Sequence, residues 1–161
     1  MRDSSLGFTL IELMVVIVMI GVLVSMVHIS QGDKRARDAR QEAQVMLALM
    51  QGLREKAVLE GQEYGLRLEP EAYQQMRLQG AIWQAVEAPV KLPAGVQLTL
   101  VLEGRVHRLG AGEHTPQLLW LSSDENTPFT LHFESPPLRW QSLSSDGLGN
   151  PLLEASEVTD A

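Results

Sequence analysis

Three hydrophobic patterns follow one another along the chain. Residues Phe8 to Ile29 read FTLIELMVVIVMIGVLVSMVHI, apolar except for Thr9, Glu12, Ser25 and His28. About 20 apolar residues, at about 1.5 Å rise each, cross a hydrocarbon core of about 30 Å, so this run predicts a transmembrane helix. It is longer than the core of a secretory signal peptide, about 7–15 residues. Beyond it, Ala36, Ala39, Ala43, Met46, Leu47, Met50, Leu53 and Ala57 recur at three- and four-residue steps and mark one apolar helix face. Asp33, Asp38, Arg40, Glu42 and Arg54 fall elsewhere. Gly61 suits a C-cap. The two patterns together predict one helix from about Phe8 to Glu60, roughly 80 Å long at 1.5 Å per residue. Gly21, Gly32 and Gly52 are points where it can bend. Two helices split at Gly32-Asp33 are the alternative. Met46 and Met50 read as core residues.

After Gly61 the period changes to 2. Tyr64, Leu66 and Leu68 alternate with Gly65, Arg67 and Glu69; Leu98, Leu100 and Leu102 with Thr99, Val101 and Glu103; Phe129, Leu131 and Phe133 with Thr130, His132 and Glu134; and Leu138 and Trp140 with Arg139 and Gln141. Shorter strands are predicted at residues 74–79, 82–86, 105–109 and 118–121. Turn signals separate them: Glu69-Pro70, Pro93-Ala94-Gly95, Gly110-Ala111-Gly112, Asn126-Thr127-Pro128, Pro136-Pro137 and Asp146-Gly147. One helix followed by antiparallel strands is an α+β pattern, with sheet packed on helix. From Pro151 the chain is acidic and aperiodic, which predicts a frayed tail.

Charge sharpens the division. The 161 residues carry 13 Lys+Arg and 20 Asp+Glu, a net of -7. Residues 62–161 hold 13 of the acids and 6 of the bases, so the acidity belongs to the strand-rich part. A nucleic-acid binder needs the opposite sign to replace phosphate counterions. The basic residues Lys34, Arg35, Arg37 and Arg40 cluster just past the apolar run, as a solvated helix face or a contact for lipid headgroups. Cysteine is absent, which excludes disulfides and thiolate metal sites.

No catalytic pattern emerges. His28, His107, His114 and His132 match no metal-ligand spacing. His132 falls between Leu131 and Phe133, on the opposite side of the strand from Phe129, Leu131 and Phe133, which predicts a surface histidine. Nucleophile-elbow, P-loop and dinucleotide fingerprints are missing. Asp124, Glu125, Asp146 and Asp160 do not form an EF-hand loop, although Asp146 and Asp160 could imitate a C-terminal calcium loop. No cofactor is implied.

One residue is out of place. Glu12 lies near the start of the apolar helix, where a mid-membrane carboxylate costs roughly 2.5–3.5 kcal/mol. Near the headgroups, the helix dipole would favour it. Alternatively, it neutralises a positive charge from another subunit. Position alone leaves both readings open.

The residues around it carry a resemblance. Gly7-Phe8-Thr9-Leu10-Ile11-Glu12-Leu13, with Met14-Val15-Val16 after it, is similar to the class III signal of type IV prepilins and type II secretion pseudopilins. The resemblance implies a leader from Met1 to Gly7, cleavage between Gly7 and Phe8 by a prepilin peptidase, and N-methylation of Phe8. Glu12 then falls at the fifth mature position, where the family has its glutamate. The new amine, with an ordinary pKa near 8, can meet Glu12 of a neighbour. Such a buried pair would set axial register.

A second stretch narrows the family. Residues 116–131, PQLLWLSSDENTPFTL, resemble the H-class minor pseudopilins of type II secretion, with Asp124 where that class often has glycine. Leu119 and Leu121 would lead into a hairpin and Phe129, Leu131 and Phe133 lead out. Ser122, Ser123, Asp124 and Glu125 would form its turn, a candidate interaction loop with the composition of an ordinary hairpin tip. The expected organisation is leader 1–7, transmembrane helix 8–29, amphipathic periplasmic helix 30–61, β-rich head 62–150 and acidic tail 151–161. The resemblance implies an inner-membrane, single-pass protein at or near the tip of a periplasmic pseudopilus. Its partners would be the prepilin peptidase, the major and other minor pseudopilins, and the assembly platform. A minor type IV pilin serving pilus assembly or DNA uptake is the alternative. It needs a basic head.

Overall fold

The computed structural model describes residues 9–110 and 114–154, with the backbone alone for residues 26–33. The chain divides into two units, Met1–Lys34 and Arg35–Ala161. The helix α1 is assigned over Leu10–Glu60. Thr9 opens it, its carbonyl accepting the amides of Glu12 at 3.0 Å and Leu13 at 3.3 Å. Phe8, where the helix was expected to begin, lies outside the described residues.

In the first unit every described side chain from Leu10 to Ser25 is exposed. Among the described residues no helix is long and apolar enough to cross a membrane, and the described side chains of the apolar run stop at Ser25.

The second unit is α+β. Its strands are β1 (Tyr64–Glu69), β2 (Ala72–Gln79), β3 (Ile82–Ala85), β4 (Val90–Lys91), β5 (Gln97–Leu102), β6 (Arg105–His107), β7 (Leu118–Trp120), β8 (Phe129–Ser135), β9 (Leu138–Ser145) and β10 (Leu152–Glu154). They form two antiparallel sheets. One runs β3-β2-β1-β7, with β4 also on β2, and the other runs β10-β9-β8-β5-β6. The core lies between the helix and both sheets. Ala39, Ala43, Met46, Met50, Leu53 and Ala57 of α1 share a cluster with Leu66 and Leu68 of β1, Leu98 and Leu100 of β5, Trp120 of β7 and Leu131 and Phe133 of β8. The three- and four-residue spacing on the helix and the alternation on the strands are the two periodicities that place these side chains together.

The helix stops where glycine permits it. Gly61 has φ 61, and the Gln62 amide bonds the Ala57 carbonyl at 3.1 Å, the six-to-one bond of a Schellman cap.

Three expectations change. Residues 118–133 are not one hairpin: β7 pairs with β1 in the first sheet, while β8 pairs with β5 and β9 in the second. The chain does reverse at a single bridge, Trp120 to Asn126, and then crosses between sheets. The buried phase of β7 is Leu118 and Trp120, with Leu119 only partly covered. The stretch from Pro151 begins as a strand, β10, paired with Ser142, Leu143 and Ser144, because the edge of β9 offers unpaired backbone groups. Residues 155–161, including Asp160, lie outside the described residues.

The third concerns His132, which is 8% exposed. Alternation gives its side correctly, but β8 is the central strand of its sheet. Thr99 of β5 and Ser142 of β9 flank it, and its Nδ1 lies 2.8 Å from the Ser142 hydroxyl. Burial, and then the charge of Arg139, push the His132 pKa below its ordinary 6.5, against a smaller upward pull from Glu134 and Glu154. The folded head thus favours the neutral ring. Its contribution to stability is full above about pH 6.5 and is lost as the pH falls from there through the lowered folded value. Urea midpoints of the head at pH 8 and pH 5.5 should differ by less in His132→Gln than in the parent. An equal pH dependence would show that this ring stays indifferent to protonation.

Candidate functional site

Two places bear on function: the start of α1 and the turn between β7 and β8. At the first, Glu12 sits in the first helical turn and is exposed. It is the one charged side chain among the described residues from Thr9 to Ser25. The adjoining apolar residues Leu10, Ile11, Leu13 and Met14 are 78%, 71%, 57% and 60% exposed. An acid there is favoured by the helix dipole, and the bare apolar surface around it suits burial in lipid or against other helices. Gly7 and Phe8 lie outside the described residues.

At the second place, the turn is pinned. The Asp124 amide bonds the Leu121 carbonyl at 3.1 Å, and the Leu121 amide bonds the Glu125 carbonyl at 2.8 Å. Asp124 has φ 74, the left-handed region that favours glycine. Its carboxylate accepts a two-pronged contact from Arg54 of α1, Nε to Oδ1 at 2.8 Å and a terminal nitrogen to Oδ2 at 2.7 Å. The other terminal nitrogen of Arg54 donates to Asn150 at 2.9 Å. The Ser122 hydroxyl donates to Glu63 at 3.2 Å. Of the four turn residues, Ser123 and Glu125 are the exposed ones. The loop is therefore anchored to the helix through Arg54 and Asn150, neither of which the sequence singled out. A contact 70 positions apart leaves no local signal.

This geometry separates two effects at Asp124. A bidentate but half-exposed ion pair is worth about 1 kcal/mol at most. A left-handed residue with a Cβ costs roughly 1–2 kcal/mol. Asp124→Gly loses the pair and relieves the backbone, so its unfolding free energy should stay within about 1 kcal/mol of the parent. Asp124→Ala loses the pair and relieves nothing, so it should be the less stable of the two in urea unfolding. Equal values would show that the backbone conformation carries no cost.

Comparisons with known proteins supply the family. The prokaryotic N-terminal methylation motif matches residues 2–27. The chain is 41% identical to type II secretion system protein H of Pseudomonas aeruginosa, over 95% of this chain and 98% of that one. It is 30% identical to type II secretion system protein H of Aeromonas hydrophila, over 81% of each. The structure of the minor pseudopilin EpsH from the type 2 secretion system of Vibrio cholerae superposes with a TM-score of 0.66 at 26% identity, covering 76% of this chain and 99% of that one. The solution structure of Escherichia coli GspH shares the fold, with a TM-score of 0.58 at 17% identity over 81% of this chain and 94% of that one.

A methylation motif leading into an exposed apolar helix, joined to a head of two antiparallel sheets on helix, defines a pseudopilin of the prepilin type. More narrowly, the chain belongs to the type II secretion system protein H family, the H-class minor pseudopilins.

Proposed function

We propose that the chain is cleaved between Gly7 and Phe8 by a prepilin peptidase, N-methylated on Phe8, and held in the inner membrane as a single pass with its head in the periplasm. From there it joins the major and other minor pseudopilins, with the assembly platform, at or near the tip of the pseudopilus that moves folded exoproteins through the secretin. It works by assembly rather than catalysis. Glu12 sets register by meeting the Phe8 amine of a neighbour, and the turn of Ser122, Ser123, Asp124 and Glu125 offers Ser123 and Glu125 to another head.

The observation that carries this reading is the exposed apolar surface of α1 with Glu12 as its one described charge. Such a surface is stable only when lipid or other helices cover it. Processing supplies the test. Glycine at position 7 leaves no side chain to obstruct the peptidase, so Gly7→Val should leave the full-length chain in the membrane. Mass spectrometry of the parent should find a methylated Phe8 as the first residue. An intact Met1 in secretion-competent protein would sink the proposal.

A further inference from the structure

The face of α1 just past the apolar run displays one sign of charge. Five of residues 34–41 are exposed: Lys34, Arg35, Arg37, Arg40 and Gln41. Four of those five are cations. Ala36 and Ala39 are buried, Ala39 within the core of the head, and Asp38 is half-buried. The next acid, Glu42, accepts the Tyr73 hydroxyl at 3.1 Å and so faces the head. Among the described residues no ion pair engages any of the four cations.

Chain connectivity limits how far these groups can be from the end of the apolar run. Lys34 follows Ile29 by five residues and Arg40 by eleven. At no more than about 3.6 Å per residue, the first lies within roughly 18 Å of Ile29 and the last within roughly 40 Å, whatever the path between. With the run buried in a bilayer, Lys34 is held near the headgroup zone and the other cations remain within reach of it.

We propose that Arg37 and Arg40, with Lys34 ahead of them in the chain, bind anionic phospholipid headgroups of the leaflet from which the helix emerges. The inference rests on the membrane-anchored reading above. Guanidinium groups match phosphate oxygens in two-pronged fashion, and the lysine adds a point charge. An anionic leaflet attracts basic residues close to a membrane helix. The head's own excess of acids is spread over a whole domain, and beyond about 8 Å it is screened at physiological ionic strength. The competing contact, with the acidic head of a second copy, would not depend on lipid charge.

The test uses the mature full-length chain in vesicles of phosphatidylcholine, with or without phosphatidylglycerol, and a dansyl-labelled lipid as acceptor. Trp83, Trp120 and Trp140 all lie in the head and serve as donors. Energy transfer should be higher in the anionic vesicles. The difference should vanish in about 1 M salt, where the screening length is about 3 Å. It should also vanish in the triple variant Lys34→Gln, Arg37→Gln, Arg40→Gln. That variant keeps Arg35, which lies against the Gly95 turn, and its circular dichroism should match the parent. Equal transfer in the two lipids, or a lipid-dependent difference that survives the triple substitution, overturns the proposal. A chain that floats with neither vesicle overturns the membrane reading itself, and this inference with it.

Discussion

Phe133→Ala should lower the stability of the head by about 3–5 kcal/mol, the usual cost of deleting a buried aromatic ring. Phe133 is 0% exposed and lies in the central strand of its sheet, within the cluster that holds Met46 and Met50 of the helix. Neighbours on both sides in the sheet restrict collapse into the vacated space, which places the cost toward the upper end. Domains of this size have about 5–15 kcal/mol in total, so the loss is a large fraction of the head's stability. Urea unfolding of a fragment beginning near Ser30, past the apolar run, can measure the loss. The same change at Ile82, 67% exposed on β3, should stay within about 0.5 kcal/mol. A loss below about 1 kcal/mol at Phe133 would mean that the space closes over, and that helix and sheet are less firmly packed than the burial implies.

The helix face and the longer strands were legible because periodicity is a local property. Ala39, Ala43, Met46, Met50, Leu53 and Ala57 are all buried where their spacing put them, and Gly61 caps the helix as its position suggested. What could not be read was pairing over distance. Sequence adjacency suggested that β7 and β8 were partners, yet β1 and β5 compete for their edges and win. Strands of two or three residues, β4 and β10, are too short to display a period. His132 shows the same limit in another form. Alternation reports which side of a sheet a residue takes, while its burial depends on how many strands flank it. The turn at Asp124 was visible as a turn, and the unusual residue there marked an unusual backbone. Its tether to Arg54 was invisible, because a lone arginine on the polar side of a helix reads as solvated.

Glu12→Ala should leave the chain cleaved and inserted but poorly assembled. The peptidase acts on the bond between Gly7 and Phe8, so processing does not need the carboxylate. Insertion should be, if anything, easier, since removing a charge from an apolar helix removes its desolvation cost. Assembly is where the loss should appear. If Glu12 meets the Phe8 amine of a neighbour, the substitution leaves that amine unpaired in an apolar setting. Breaking one half of a buried pair costs about 3–5 kcal/mol, which is roughly two to three decades in an association constant. Cross-linking to other pseudopilins should fall accordingly, and secretion with it. Glu12→Gln is the sharper probe, because it retains size and polarity and loses only charge. An acid that merely complements the helix dipole at headgroup level is worth about 0.3–1 kcal/mol, and its loss would barely register in either assay. The two accounts therefore differ by several kcal/mol in the same experiment. If both variants cross-link and secrete like the parent, Glu12 serves the helix end and not the register of the filament.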